Sequence, residues 1–378
     1  MTAWIATSFG TLDLRGVHGA GEVGTVAVTP VNSADPIVLR EPADELWRRL
    51  VAGPIDDETL DDDDRAVLHD FESLGLASTR LDDPFRTRTI PVPWLSSFVH
   101  ELVYALVASI ARRDGIDVVF VKGPMLRAQG LREREHSGDV DVWVSPLQQP
   151  MLARAMQARG WRSLETTFTG TPIAHSLTLL PGGWGCEIDV HVRFPGITVA
   201  DASAFAHIRS RSVACEFAGV TASAPDIATH AVISALHQIR PLPGAPPAAE
   251  RLEGAIAALC AAGWQEADRA AESLGARGPL EPAFAGAGRP SRSGEVALHD
   301  WGWRDADRGA DAMRAYFRVL PVRYWPRVIR RMLWPTVEAL YYPDKDSPRT
   351  RVAVAKRRRD RLIRKLRTLL RRDGHQMS

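Results

Sequence analysis

Cysteine is nearly missing. Cys186, Cys215 and Cys260 are the three in 378 residues, and none falls in a C-x-x-C spacing. That excludes a disulfide framework and argues against a structural zinc site. No apolar run approaches the ~20 residues of a membrane span, so no transmembrane segment is expected. The opening Met1-Thr2-Ala3-Trp4 starts no basic stretch followed by an apolar one, so no signal peptide is expected and the expected location is cytoplasmic. Net charge is also small, +1 from 47 basic and 46 acidic residues. The chain as a whole therefore has no pull toward a polyanion, and nucleic acid is not expected as a partner. Internal repeats are absent. What remains, 45% hydrophobic and 25% charged residues, is the balance of a globular protein with room for two or three domains.

The most informative stretch is 137–144, Ser-Gly-Asp-Val-Asp-Val-Trp-Val. Side chains alternate along a strand. Asp139 and Asp141 therefore share one face, while Val140, Val142 and Val144 enter a core on the other. Two carboxylates that close repel each other unless a cation or a proton lies between them. Oxygen ligands at a strand end suit Mg²⁺, which takes one or two carboxylates plus substrate phosphates. Taken alone, D-x-D more often describes a solvated edge strand with two surface acids.

The flanks shift the balance. Upstream, 117–124 reads Asp-Val-Val-Phe-Val-Lys-Gly-Pro. An apolar run that stops at Lys122-Gly123 and resumes with Pro124 predicts a buried strand, a tight turn and a helix start. Free N–H groups at a helix start attract phosphate, and Lys122 adds a cation. Downstream, 185–192 reads Gly-Cys-Glu-Ile-Asp-Val-His-Val. It alternates again, with Glu187, Asp189 and His191 on one face and Cys186, Ile188 and Val190 on the other.

Lys122-Gly123, then Gly138-Asp139-Val140-Asp141 running on to Val144, then Asp189-Val190-His191: this series resembles the bacterial uncharacterised nucleotidyltransferase family of the polymerase-β-like superfamily, over roughly residues 95–370. The resemblance implies an α+β fold, with a polymerase-β-like nucleotidyltransferase core of mixed sheet and helices and a helical C-terminal region. It implies Mg²⁺ (or Mn²⁺) as metal and a nucleoside triphosphate as substrate. Asp139, Asp141 and Asp189 would be the catalytic carboxylates and metal ligands. Lys122, Gly123, Ser137, Gly138 and His191 would border the nucleotide. The superfamily's usual Gly-Ser turn is replaced by Lys-Gly, as in the resembling family.

Before this core, residues 1–40 carry short β-like pieces at 4–9, 23–28 and 36–39. Helical periods follow at 41–50 and 61–74, the second closed by Gly75. Strands followed by short helices suggest a small winged-helix-like domain. The Pro42-Ala43 helix with Trp47 and the closing Leu74-Gly75-Leu76 resemble PqqD-like domains, which hold a leader peptide by adding it to a sheet edge. The resemblance implies a precursor or leader peptide as partner. The expected domains are 1–80 (PqqD-like peptide-binding), 81–200 (nucleotidyltransferase core) and 201–378 (helical, with a basic tail). Within the core, an amphipathic helix is predicted at 94–112, another helix at 148–160, and strands at 161–169 and 175–180. Pro181-Gly182-Gly183 leads from there into the Asp189 strand as a hairpin. His175, His230 and His237 read as packing residues, 279–294 as a flexible joint, and 351–372 as a basic helix facing an acidic surface.

Three functions compete. The first is an Mg-dependent nucleotidyltransferase that moves a nucleotidyl or related phosphate-linked group to an acceptor, a ribosomally made peptide in a natural-product pathway being the candidate. The second is a nucleotide-sugar-dependent glycosyltransferase, whose metal site also uses D-x-D. A Lys-Gly turn ahead of D-x-D is not among its features. The third is a non-catalytic peptide-binding scaffold, against which stands the presence of all three carboxylates.

Overall fold

The computed structural model describes residues 2–17, 24–135, 138–240, 248–289, 309–342 and 349–370. The chain begins with β1 (Ala3–Ala6), β2 (Thr11–Asp13), β3 (Val26–Val28), β4 (Ile37–Leu39), α1 (Ala43–Ala52), β5 (Ile55–Asp56), α2 (Asp62–Leu74) and β6 (Ala77–Ser78). Strands β5-β1-β6 form one three-stranded sheet and β2-β3-β4 a second, an antiparallel meander with Thr11 opposite Val28 and Val26 opposite Leu39. The local signals act as written. Asp61 caps α2 by accepting the Asp64 N–H at 2.8 Å, and Gly75 ends it at φ +72°. Trp47 meets Phe71 edge to face at 5.9 Å in a core shared with Val26, Leu46 and Leu68.

Next come α3 (Phe98–Arg113), β7 (Val118–Phe120), α4 (Gly123–Ala128), β8 (Asp139–Val144), α5 (Gln149–Gln157), β9 (Arg162–Ser163), β10 (Ser176–Leu180) and β11 (Glu187–His191). The five strands form one sheet in the order β7-β8-β11-β10-β9. β7 and β8 are antiparallel, with Phe120 opposite Val142, and the Val121 N–H donates to the Asp141 carbonyl at 3.0 Å. Strand β9 is far shorter than the run expected at 161–169. Helix α3 begins at Phe98 because Ser97 caps it. It is buried on every side from Glu101 to Ala111 rather than amphipathic. It packs on β8, on β2 and on a hairpin that the sequence reading did not anticipate. The Glu101 carboxylate, inside this layer, accepts from the Trp94, Leu95 and Ala218 N–H groups at 3.0, 3.2 and 3.1 Å. Burial pushes its carboxyl up against those three bonds.

That hairpin interrupts a region expected to be helical from residue 201. After α6 (Asp201–Ser210), strands β12 (Ser212–Phe217) and β13 (Val220–Pro225) pair across six positions. Their turn, Ala218-Gly219, has φ +47° and +77°, the type I′ geometry of a two-residue hairpin. Helices follow: α7 (Ile227–Ile239), α8 (Ala248–Ala261), α9 (Trp264–Ser273), α10 (Glu281–Gly286), α11 (Gly309–Val319), α12 (Trp325–Leu333), α13 (Val337–Tyr341) and α14 (Arg351–Leu370). α10 occupies part of the expected flexible joint. Pro282 serves as a helix-start residue there, and Arg277 ties the segment by bonds to Asp268 and Glu281 at 2.8 and 2.6 Å. Residues 290–294 of that joint lie outside the described residues. His230 is fully buried in α7. No helix among the described residues is long and apolar enough to cross a membrane.

The fold is therefore a mixed α+β one. It divides into two compact units, Met1–Ser163 with Leu179–Val190 and Ile208–Asp226, and Leu164–Thr178 with His191–His207 and Ile227–Ser378.

One ion-pair cluster makes acid stability measurable. Asp13, buried at the end of β2, accepts from Arg15 at 2.6 Å and from Arg48 at 3.0 Å. Burial pushes its carboxyl up, but the two guanidinium groups outweigh that and hold it well below the usual carboxylate range. A carboxyl depressed by folding stabilises above its unfolded pKa, near about 4, and the stabilisation fades as pH falls toward the folded value. Denaturation of wild type and Asp13→Asn should show wild type more stable at about pH 6 and the gap closing below about pH 4. A gap independent of pH would remove these pairs from the stability of the fold.

Candidate active site

The site is built on the turn between β7 and α4. Lys122 caps α4 with φ +61° and ψ −134°, a backbone conformation that costs a non-glycine residue about 1–3 kcal/mol. Gly123 follows with φ +54°, and a Cβ there would stand 2.3 Å from Tyr104 Oη. Only glycine passes over that phenol. Lys122 Nζ donates to Asp141 Oδ1 at 2.6 Å, the lysine side chain being 13% exposed and the carboxylate 1%. The Val121–Asp141 backbone bond and this ion pair together fasten the turn to β8.

Beside it, Asp141, Asp189 and His191 each present a ligand atom, all within 4.8 Å of one another. Asp189 and His191 are one pleat apart on β11, the strand next to β8. Gln149 Nε2 donates to the Val190 carbonyl at 2.7 Å, tying α5 to the same strand. The carboxylates suit a hard divalent cation, whereas the imidazole departs from an all-oxygen set.

Asp139 opens β8, half-buried, and lies outside this ligand set. It stays close enough for its charge to act on Tyr104, Arg132 and Cys186. Glu187 is outside the set as well. Gly138 has φ +95°, and its carbonyl accepts from His100 Nε2 at 2.9 Å. Ser137 lies outside the described residues. The His175 ring centroid is 5.9 Å from that of His191.

Three further residues complete the surroundings, and sequence reasoning missed them. Arg132 Nη2 donates to the Gly123 carbonyl at 2.8 Å and to the Glu135 carbonyl at 3.2 Å. Burial pulls its pKa down while the nearby Asp141 and Asp139 oppose that shift. It stands in an Arg-Glu-Arg-Glu run that reads as a charged loop. His100 joins Ser97 Oγ at 3.0 Å to the Gly138 carbonyl. A carbonyl only accepts, so Nε2 carries the proton. Tyr104 stacks on Phe217 at 4.3 Å, and its buried Oη has no hydrogen-bond partner among the described residues. Burial first, then Asp141, Cys186 and Asp139, push its phenol well up. On the sequence it is one more core position of α3. Burial, helped by Asp139 and Glu187, likewise pushes the Cys186 thiol up to about 12, which leaves it protonated and inert.

No family model matches the chain, and no curated protein matches it. Among solved structures, it is similar to the antibiotic-resistance factor ANT(2'')-Ia, at 11% identity and TM-score 0.31, over 48% of this chain and 92% of that one. It is also similar to an antigenic nucleotidyltransferase-like protein from Paracoccidioides brasiliensis, at 13% identity and TM-score 0.31, over 50% and 94%. Likeness at that level assigns neither a fold nor an activity.

The crowding of Gly123 against Tyr104 predicts a compensating pair. Gly123→Ala should cost about 3 kcal/mol, from overpacking and the left-handed backbone. Tyr104→Phe alone should be neutral or slightly stabilising, because the lost hydroxyl has no partner. In the Tyr104→Phe background Gly123→Ala should cost only about 1–2 kcal/mol. Additive effects in a double-mutant cycle by urea denaturation would show that the phenol does not hold the turn.

Proposed function

We propose that the chain is a divalent-metal-dependent nucleotidyltransferase. The observation that carries the reading is Asp141, Asp189 and His191 within 4.8 Å of one another, with Lys122 2.6 Å from Asp141 at a Lys-Gly turn. Asp141 and Asp189, with Asp139 on the same face of β8, would hold Mg²⁺ or Mn²⁺. A metal there neutralises a triphosphate and favours charge on the attacking and leaving oxygens. Lys122 and the Gly123 backbone take the β- and γ-phosphates of a nucleoside triphosphate, and Arg132 adds a second cation at the same turn. Ser137, Gly138 and His191 border the nucleotide. The acceptor oxygen attacks the α-phosphorus, pyrophosphate leaves, and the acceptor's proton passes to an Asp189 carboxylate oxygen.

In this reading residues 1–80 are a PqqD-like, winged-helix-like element that recruits a ribosomally made peptide, 81–200 the catalytic core and 201–378 the C-terminal region. The support is β4, which pairs with β3 alone among the described strands. Its outer backbone groups can accept an added strand.

Titration of Mg²⁺ or Mn²⁺ with each nucleoside triphosphate, followed by thermal unfolding, should stabilise wild type and not Asp141→Asn. Equal stabilisation of both proteins, or a preference for nucleotide sugars over triphosphates, would discard the reading.

Asp189 should matter more for rate than for binding, since its work begins when the acceptor arrives. Asp189→Asn should keep nucleotide affinity within about tenfold, roughly 1.4 kcal/mol. Pyrophosphate release in the presence of acceptor should fall ~10²-fold or more. If Glu187→Gln abolishes turnover while Asp189→Asn stays active, the acid has been assigned one pleat off.

A further inference from the structure

Helix α12 is amphipathic the unexpected way round. Its inner face is held by Val328 and Arg331, 1% and 5% exposed. The buried Arg331 guanidinium pairs with Glu165 at 2.7 Å and donates to the Thr169 carbonyl at 2.5 Å. The outer face carries Pro326, Ile329 and Leu333, at offsets 0, 3 and 7 along one helical stripe, and Val322 lies in the 3-10 turn just before the helix. Val322, Ile329, Leu333 and the adjoining Trp334 are 69%, 42%, 45% and 63% exposed. Scattered apolar residues at a surface need no explanation; a continuous stripe ending in tryptophan does.

The charge along this stretch of chain has one sign. From Arg314 to Pro335 there are six arginines and no acidic residue. Arg323, Arg327 and Arg330 are exposed beside the stripe. From α14, Arg358 lies over the Trp334 ring at 4.5 Å and donates to the Pro335 carbonyl at 3.2 Å. A second copy of this chain would bring arginines against arginines, so the surface is poorly made for self-association. A nucleic acid would satisfy the arginines and leave the aliphatic stripe in water.

We propose that this outer face of α12 docks on an anionic phospholipid surface. Arginines meet the headgroups while Val322, Ile329, Leu333 and Trp334 enter the boundary between headgroups and acyl chains. Apolar residues and tryptophan at that depth, with basic residues beside them, are what an interfacial helix requires. The proposal is independent of the reading of the acidic site.

The test is flotation of the full chain with phosphatidylcholine vesicles, with and without phosphatidylserine. Binding should require phosphatidylserine and weaken with salt. Ile329→Ser/Leu333→Ser, at exposed positions and checked for an unchanged melting temperature, should lower partitioning by about tenfold or more. Arg323→Glu/Arg330→Glu should do the same. The emission difference between wild type and Trp334→Phe should shift to the blue on anionic vesicles alone. The proposal is overturned by failure to bind anionic vesicles, or by binding that Ile329→Ser/Leu333→Ser leaves unchanged. It is equally overturned if that variant instead dissolves a dimer, or if duplex RNA or an acidic protein binds the arginines while vesicles do not.

Discussion

Everything around the acidic site depends on the Lys122–Asp141 ion pair. Asp141 is almost wholly removed from water, and a carboxylate in that position needs a cation within reach. Lys122 supplies it at 2.6 Å, and to do so the backbone takes a conformation that lysine avoids. The strain persists because Gly123 can thread past Tyr104 and because β7 and β8 are locked together by their ladder. Breaking a buried pair of this kind typically costs about 3–5 kcal/mol, more than the strain it maintains. The turn is thus held by charge.

The same pair sets the terms on which the site could act. Any divalent cation brought to Asp141 meets a carboxylate oxygen already engaged by an ammonium group. Asp189 and His191, from the neighbouring strand, supply the other donors. Arg132, held at the Gly123 carbonyl, keeps a second positive charge at the turn. Acids on two strands and cations on one turn form a small field suited to holding a polyanionic ligand through a metal.

Arginine plays two separate parts in the second unit. Arg277 and Arg331 are buried and ion-paired, fastening helices to their neighbours. Arg323, Arg327 and Arg330 are exposed beside an apolar stripe. Burial and partners, rather than residue type, separate the structural arginines from those available to a partner.

Much of this was legible from the sequence, because the signals were local. The caps of α2, the Lys-Gly-Pro turn and the alternation of 139–144 each depend on a few neighbouring residues, and short-range sterics and hydrogen bonds decide them. The β12–β13 hairpin was missed because Ser, Ala and Cys fill half of its strand positions and dilute the β-formers Val213, Phe217, Val220 and Thr221. α3 read as amphipathic because nothing in its own period shows that a sheet and a hairpin cover it from two sides. The make-up of the ligand cluster was likewise a tertiary decision. Strand order β7-β8-β11 brings Asp189 and His191 to Asp141. The sequence by itself determined which residues carry charge and which face of each strand they share. Only the packed sheet decided which of them meet, because pairing between distant strands is set by the fit of the whole core and not by any one segment.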